Sequence, residues 1–259
     1  MVSVETYQTM NEASQAMSDR SRFLAGGTLV MRAVTYADQS FDRIVRARQV
    51  DRSIGSEANG IRIGAGATMA DVLASRDVEV LHPTARSIGG PAIRNMATVA
   101  GNLFAQNPYG DFAVALLALD AEVQMASGQT QPIESFLMDR AHVRGLVTGL
   151  IIPRIDPSSF AFHKVSRVRP KGVSVMSIAV NLRRGDPRVA FGNMAPTPTR
   201  AKAAERALVN GADAASIEAA CAVCLEGLQP ATDPLASEWY RREVAPVHLK
   251  RAILNGGLR

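Results

Sequence analysis

The chain has 259 residues, of which 47% are hydrophobic and 20% charged, a balance typical of a folded globular protein and not of a disordered one. This length is sufficient for one large domain or two ordinary ones. The net charge of +5 comes from scattered basic residues with few aromatic residues between them. A solvated surface with a mild excess of Arg is the simplest interpretation. An acidic partner subunit or an anionic cofactor explains the charge at least as well as nucleic acid or a membrane surface. The longest apolar run, residues 112–119, is too short to span a bilayer, so we expect no membrane span.

The first half of the chain alternates between helical and strand patterns. Helical spacing of apolar residues predicts an amphipathic helix over residues 5–20 and helices from residue 29, over 82–88 and over 112–119. Thr68, with Asp71 three positions later, predicts a helix start with a capping box. Short strands are expected at 23–25, 44–45, 61–64, 121–125 and up to residue 152, with a hairpin turn at 127–129.

The second half changes character after a linker-like stretch at residues 153–159. Two strands, 173–183 and 188–194, flank Arg184-Gly185-Asp186-Pro187, which is a clear turn. Residues 200–258 are largely helical in composition. The pattern is therefore mixed α/β for about 155 residues, followed by an antiparallel sheet and helices.

Two loops of small residues, about 70 positions apart, are the strongest functional signal. The first is Ala25-Gly26-Gly27-Thr28, after a strand and before a helix, and the second is Thr98-Val99-Ala100-Gly101-Asn102. Small residues let backbone N–H groups approach an anion closely, and hydroxyl and amide side chains add hydrogen bonds. Neither loop has the spacing of a Rossmann or P-loop motif, so the residues alone support a possible dinucleotide site and leave an ordinary turn open.

Four ordered blocks carry a resemblance to a known family. They are AGGT at 25–28 with IRIGAGATMADVLAS at 61–75, then the block from 87 to 123, then 177–208, and finally ASEWYRREVAPVHLKRAI at 236–253. This order resembles the FAD-binding medium subunit of molybdenum hydroxylases, the flavoprotein subunits of carbon monoxide dehydrogenase and xanthine dehydrogenase. The resemblance covers nearly the whole chain.

The resemblance implies an α+β fold in which two small α/β subdomains enclose FAD, followed by an antiparallel three-stranded sheet with a helical bundle. We expect the FAD-binding domain at 1–155, with subdomains at 1–55 and 56–155, and the C-terminal flavoprotein domain at 160–259.

The family pattern also implies which residues contact FAD. The first loop would bind the pyrophosphate, Asp111 the adenosine ribose, and Lys164 would lie near the flavin; helix capping by Asp111 and an exposed position for Lys164 are the alternatives. Leu29 stands where relatives often have a polar residue, and Ala100 replaces a glycine, which matters only if that position needs a positive φ. The full set is Leu24, Ala25, Gly26, Gly27, Thr28, Leu29, Ala97, Thr98, Ala100, Gly101, Asn102, Gly110, Asp111, Leu150 and Lys164.

The family implies a cytoplasmic, FAD-binding electron-transfer subunit of an oxidoreductase, not a complete enzyme. Its partners would be a large subunit with the molybdenum cofactor and a small subunit with [2Fe-2S] clusters, in a heterohexamer. Electrons would pass from these clusters to FAD and on to an external acceptor. A stand-alone flavin oxidoreductase and a structural subunit that has lost FAD remain alternatives. We assign no catalytic residue to this chain and expect no nucleic-acid partner.

The remaining metal-ligand residue types give no site. Cys221 and Cys224 have a C-x-x-C spacing, but their segment is helical and apolar, and no second cysteine pair completes a ligand set, so we interpret both as core residues. The four histidines share no ligand spacing. We expect no metal in this chain.

Overall fold

The computed structural model describes residues 2–168 and 172–256. Within these residues the strands are β1 (Ser3–Tyr7), β2 (Ser21–Phe23), β3 (Arg43–Ala47), β4 (Ile54–Glu57), β5 (Gly60–Gly64), β6 (Glu122–Met125), β7 (Thr130–Pro132), β8 (Val147–Ile152), β9 (Phe160–Val165), β10 (Met176–Asn181), β11 (Arg188–Gly192) and β12 (Thr199–Arg200). The α-helices are α1 (Met10–Gln15), α2 (Val30–Thr35), α3 (Met69–Ala74), α4 (His82–Ser87), α5 (Pro91–Arg94), α6 (Val99–Leu103), α7 (Asp111–Ala118), α8 (Ile133–Asp139), α9 (Lys202–Ala207), α10 (Ala214–Val223) and α11 (Glu238–Gly256). Two 3₁₀ segments lie at Arg76–Leu81 and Pro157–Ser159.

The N-terminal unit is a parallel three-stranded sheet in the order β1-β3-β2. Parallel neighbours need crossover connections, which α1 and α2 supply. The expected helix over residues 5–20 is wrong at its start, because Ser3–Tyr7 pairs with β3 as a strand. The helix begins at Met10, where Thr9 and Glu12 form a capping box.

A five-stranded antiparallel sheet in the order β4-β5-β8-β6-β7 forms the second unit. Its main helix, α7, is apolar all round, and each of its residues is buried. One side of α7 belongs to the core of this unit, and the other packs on β10 and β11 of the C-terminal sheet. A helix enclosed on all sides has a continuous apolar sequence, which is why residues 112–119 are recognisable without the structure.

The C-terminal unit is an antiparallel sheet in the order β12-β11-β10-β9, covered by α9, α10 and α11. The expected three strands are β9, β10 and β11, and the two-residue β12 adds an edge. This mixed helix and sheet architecture confirms the α+β fold class. Among the described residues, no helix is both long and apolar enough to cross a membrane.

An ion cluster crosses the junction between the second and third units. Asp120, just after α7, accepts hydrogen bonds from Arg183 at 2.7 Å and from Arg188 at 2.9 Å, both on the C-terminal sheet side. Asn181 of β10 donates to the carbonyl oxygen of Ala118, at the end of α7. These contacts fix the C-terminal sheet against the second unit.

Candidate functional site

A cleft of about 1180 Å³ lies where the three units meet. Its walls come from the loop between β2 and α2, the segment from Ala97 to Asn102, the connection before β8, and the cleft-facing end of β9. Ligand sites of drug-sized molecules occupy about 300–1,000 Å³, so this cleft has room for a larger, extended ligand.

The first glycine loop, residues 24–29, connects β2 to α2 along one wall of the cleft. A Cβ at Gly26 would lie 1.6 Å from the carbonyl oxygen of Met96, and Gly27 has a φ of +74°. Gly26 is therefore required for the close approach of the two loops, and Gly27 for the turn. Leu29 precedes α2 and supplies no side-chain hydrogen bond to its first turn.

The second loop, residues 97–102, contains the start of a helix. Thr98 is the N-cap of α6, and its Oγ1 accepts a hydrogen bond from the Gly101 amide at 3.1 Å. Ala100 lies inside α6 and does not have a positive φ, so the replacement of a glycine by alanine costs no backbone strain here. A Cβ at Gly101 would lie 2.8 Å from Thr98 Oγ1, which explains the glycine at that position.

Asn102 connects the second loop to α7. Its Oδ1 accepts hydrogen bonds from the backbone amides of Phe112 at 3.0 Å and Ala113 at 3.4 Å, and its Nδ2 donates to the carbonyl oxygen of Tyr109 at 3.1 Å. The side chain is buried. Asn102 thus satisfies amides in the first turn of α7, which would otherwise have no intrahelical partner.

Asp111 and Lys164 form a buried ion pair at one end of the cleft. Lys164 Nζ lies 3.0 Å from Asp111 Oδ2 and also donates to the carbonyl oxygen of Ser87 at 3.1 Å. Both alternatives raised by the sequence are wrong, because Gly110 and not Asp111 is the N-cap of α7, and because the Lys164 side chain is only 13% exposed. The structure brings together two residues that the family pattern assigns to different parts of FAD.

The other predicted positions divide into two groups. Ala25, Gly26, Gly27, Thr28, Leu29, Ala97, Thr98, Ala100, Gly101 and Asn102 all line the cleft. Leu24, Gly110 and Leu150 are not among the lining residues, and Leu150 is fully buried in the core of the second unit. Gly110 instead precedes the first turn of α7.

Four arginines that the sequence does not single out also line the cleft, and one of them, Arg144, is paired with Asp19 at 3.5 Å. Arg32 donates to the Tyr109 hydroxyl, and its guanidinium lies 5.4 Å from the centre of that ring; both residues line the cleft. Arg140 donates to the carbonyl oxygens of Leu103 and Ala105, both at 3.1 Å, and burial lowers the pKa of its guanidinium. Arg22 donates to backbone carbonyls and to Ser40. No sequence motif identifies these arginines, because their contacts are with residues distant in the chain or with irregular loops.

The cleft carries a net positive charge, because its four arginines and Lys164 outnumber the carboxylates Asp19, Asp38 and Asp111. Among the described residues, Arg22, Arg32 and Arg140 have no carboxylate within salt-bridge distance, whereas Lys164 is paired with Asp111. A guanidinium group that donates only to neutral oxygens has no counter-ion in the protein, so its charge is available to an anionic ligand. The cleft therefore favours a ligand with phosphate groups.

The cysteines lie away from the cleft, as part of the helical C-terminal unit. Burial raises the pKa of Cys224 to about 12 and also raises the pKa of Cys221, so neither is a reactive thiol at neutral pH. Cys224 belongs to the core of this unit, as the sequence indicates. His163 and His248 are hydrogen bonded at 2.9 Å between β9 and α11. No group of three or more metal-ligating side chains occurs within residues 2–168 and 172–256.

Two family models match nearly all of the chain. The model described as "FAD binding domain in molybdopterin dehydrogenase" matches residues 1–155. The model described as "CO dehydrogenase flavoprotein C-terminal domain" matches residues 161–255.

Curated proteins with similar sequences extend this result. The chain is 26% identical to the glyceraldehyde dehydrogenase medium chain of Sulfolobus acidocaldarius, over 91% of this chain and 90% of that protein. It is 26% identical to the putative xanthine dehydrogenase FAD-binding subunit of Escherichia coli, over 95% and 92% of the two chains. The carbon monoxide dehydrogenase medium chain of Afipia carboxidovorans is 24% identical over 92% and 89%.

Solved structures share the fold over almost the full length. A chain of the carbon monoxide dehydrogenase from Hydrogenophaga pseudoflava, which lacks the Mo-pyranopterin moiety of the molybdenum cofactor, superimposes with a TM-score of 0.90 at 22% identity and covers 98% of this chain and 96% of that one. A chain of quinoline 2-oxidoreductase from Pseudomonas putida 86 gives a TM-score of 0.85 at 19% identity, with coverage of 99% and 96%. At this identity the likeness establishes the fold.

Proposed function

The chain belongs to the family of FAD-binding domains of molybdopterin dehydrogenases, and from this premise we propose that it transfers electrons through FAD within a multi-subunit molybdenum hydroxylase. It is an FAD-dependent oxidoreductase subunit of that family. FAD can accept electrons singly and release them in pairs, which suits it to connect one-electron carriers with a two-electron acceptor. The chain itself would bind the cofactor, orient it and set its electrostatic surroundings.

The residues of the cleft fit FAD, and the two glycine loops are the observation that carries the proposal. At Gly26 a Cβ would collide with the second loop, so the two small-residue loops come together in a way that no other residue allows. Backbone amides at such loops bind phosphate oxygens. We assign Ala25 to Leu29 and Ala97 to Asn102 to the pyrophosphate and its neighbouring groups, supported by their positions along one cleft.

The charged residues of the cleft have different proposed roles in binding FAD. Asp111 is a carboxylate at the cleft surface and is suited to accept hydrogen bonds from sugar hydroxyls. Lys164, which the family pattern assigns near the flavin, is the counter-ion of Asp111, so we propose that it holds this carboxylate in place. Arg22, Arg32 and Arg140 have no carboxylate partner among the described residues, so they are the cations available to the phosphates or to the reduced flavin.

The partner subunits are part of the proposal. Relatives of this chain are named medium chains, a name that implies further chains in the same enzyme. We propose a large subunit with the molybdenum cofactor, a small subunit with [2Fe-2S] clusters that donates electrons to FAD, and an external acceptor. The heterohexameric assembly and the cytoplasmic location that the family resemblance implies belong to the same proposal.

A spectroscopic experiment on the purified chain tests the cofactor. We expect a flavin absorption spectrum and the release of FAD, identified by chromatography, when the protein is denatured. A colourless chain that also fails to take up added FAD would overturn the proposal and leave the structural-subunit alternative.

A second experiment tests electron transfer. When a tagged form of the chain is purified from its native host, a larger partner that contains molybdenum and a smaller partner that contains iron should copurify with it. The flavin of that complex should be reduced by the substrate of the partner subunits, whereas the isolated chain should show no such activity. Full activity of the isolated chain would instead favour a stand-alone flavin oxidoreductase.

A further inference from the structure

A buried serine lies directly behind the carboxylate that faces the cleft. Ser174 Oγ donates to Asp111 and lies 2.6 Å from Oδ1 and 2.8 Å from Oδ2. Ser174 has no exposed surface, whereas Asp111 lines the cleft. A hydroxyl carries one proton and no charge, so this contact orients the carboxylate without neutralising it.

Ser174 is itself held by a residue of the C-terminal sheet. The Nδ2 atom of Asn193 donates to the carbonyl oxygen of Ser174 at 2.6 Å. Asn193 has a φ of +62°, a conformation that Asn adopts more readily than most residues with a side chain. Asn193 follows β11 and Ser174 precedes β10, so the second unit's Asp111 is supported from the C-terminal unit.

The hydrogen-bonding capacity of Asp111 leaves room for a ligand. An ionised carboxylate has roughly four acceptor positions. The proton of Ser174 and the ammonium group of Lys164 occupy two of them. The two that remain match the two donors of a pair of adjacent hydroxyls.

We propose that Ser174, held by Asn193, is a positioning residue that orients Asp111 to bind two adjacent hydroxyls of the sugar part of FAD. This inference rests on the proposed function, because it requires FAD in the cleft. Adjacent hydroxyls occur both in the ribose of the adenosine half and in the ribityl chain of the flavin half. The family pattern places Asp111 at the adenosine ribose and Lys164 near the flavin, yet the two side chains are in contact. Separate binding of the adenosine half and the flavin half therefore shows which sugar hydroxyls Asp111 binds.

The test measures binding of FAD, ADP and FMN to the full chain by titration calorimetry. Ser174→Ala should weaken FAD binding about tenfold, the scale of one hydrogen bond to a charged group. Only one fragment should lose affinity to a similar extent: ADP if the ribose is bound, FMN if the ribityl chain is bound. Ser174→Thr keeps the hydroxyl and should restore most of the affinity.

Ser177→Ala is the matched control. Ser177 is also a buried serine, on β10, and its Oγ has no hydrogen-bond partner within the described parts of the chain. Its removal should leave the affinity for all three ligands unchanged. Asn193→Gly keeps the positive φ while it removes the amide, and it should weaken binding of the same fragment as Ser174→Ala.

Three results would overturn the inference. Affinity for FAD that is unchanged in Ser174→Ala would exclude a positioning role. An equal loss for ADP and FMN without rescue by threonine would show a role in stability alone. If the wild-type chain binds no FAD, the proposed function fails and this inference fails with it. If the wild type and Ser174→Ala bind FAD equally well, only the inference is refuted.

Discussion

At the scale of single residues, the Asp111–Lys164 pair shows how a buried charge is tolerated. The two side chains are 5% and 13% exposed, and each depends on the other. Removing one partner of a buried ion pair leaves an uncompensated charge, which costs about 3–5 kcal/mol. We expect Lys164→Met to lower the free energy of unfolding by about 3 kcal/mol in urea denaturation.

The double variant Lys164→Met with Asp111→Asn is the informative comparison. Because it removes both charges, it should be more stable than Lys164→Met alone. Stability losses that simply add in the double variant would show that the two side chains do not depend on each other.

Ala100 tests whether the second loop needs the family glycine. The residue lies inside α6 without a positive φ, so glycine would bring no relief of strain. We expect Ala100→Gly to lower the free energy of unfolding by about 0.5–1 kcal/mol, the cost of glycine in a helix, and to leave FAD affinity unchanged. Tighter FAD binding by Ala100→Gly would contradict this interpretation of the loop.

At the scale of secondary structure elements, Asn102 joins the second loop to α7. Its amide group makes hydrogen bonds in both directions, to the first turn of α7 and to Tyr109. Asn102→Ala should cost about 1–2 kcal/mol in the free energy of unfolding, like the loss of a helix cap. Asn102→Asp keeps the acceptor for the α7 amides and should lose less, and equal losses in a denaturant titration would argue against capping as the cause.

The elements also show what a single sequence can predict. Thr68 with Asp71 and the hairpin at Gly128 depend on neighbours within three residues, and the structure confirms both. The helix predicted from residue 5 is wrong where it overlaps Ser3–Tyr7, because the strand character of that segment comes from parallel pairing with β3, some 40 residues away. Pairing of that kind leaves little trace in local periodicity.

The residues of the candidate site likewise divide into those that a local sequence pattern predicts and those that depend on contacts distant in the chain. The two glycine loops are predictable because each is a run of small residues within a few positions of the chain, a pattern that is local by nature. Ser174 and Arg140 are not, since Ser174 contacts Asp111 from 63 positions away and Arg140 contacts Ala105 from 35. Asp111 and Lys164 are each recognisable through the family pattern, but their mutual contact is not.

At the scale of the whole molecule, the ion cluster at Asp120 fixes the C-terminal unit to the rest. Asp120 contacts Arg183 and Arg188 across the junction, whereas Asp186 contacts the same two arginines from within the C-terminal unit. We expect Asp120→Asn to lower the free energy of unfolding by about 1 kcal/mol, and by less in high salt, because such partly exposed pairs are screened.

Asp186→Asn is the control for this prediction. The Asp186 side chain is 56% exposed and joins no two units, so its replacement should have a smaller effect in the same urea titrations. A larger loss for Asp186→Asn than for Asp120→Asn would show that the junction contributes little.

A fluorescence titration of the flavin-free chain with FAD is the most direct test of the cleft as a cofactor site. It compares the wild type with Gly27→Ala and Gly128→Ala. Gly27 and Gly128 have φ angles of +74° and +86°, so alanine is strained at both, but only Gly27 lines the cleft. We expect one FAD per chain in the wild type and in Gly128→Ala, and about tenfold weaker binding in Gly27→Ala. No saturable binding by the wild type, or equal affinity in all three proteins, would contradict the assignment of the glycine loops to FAD.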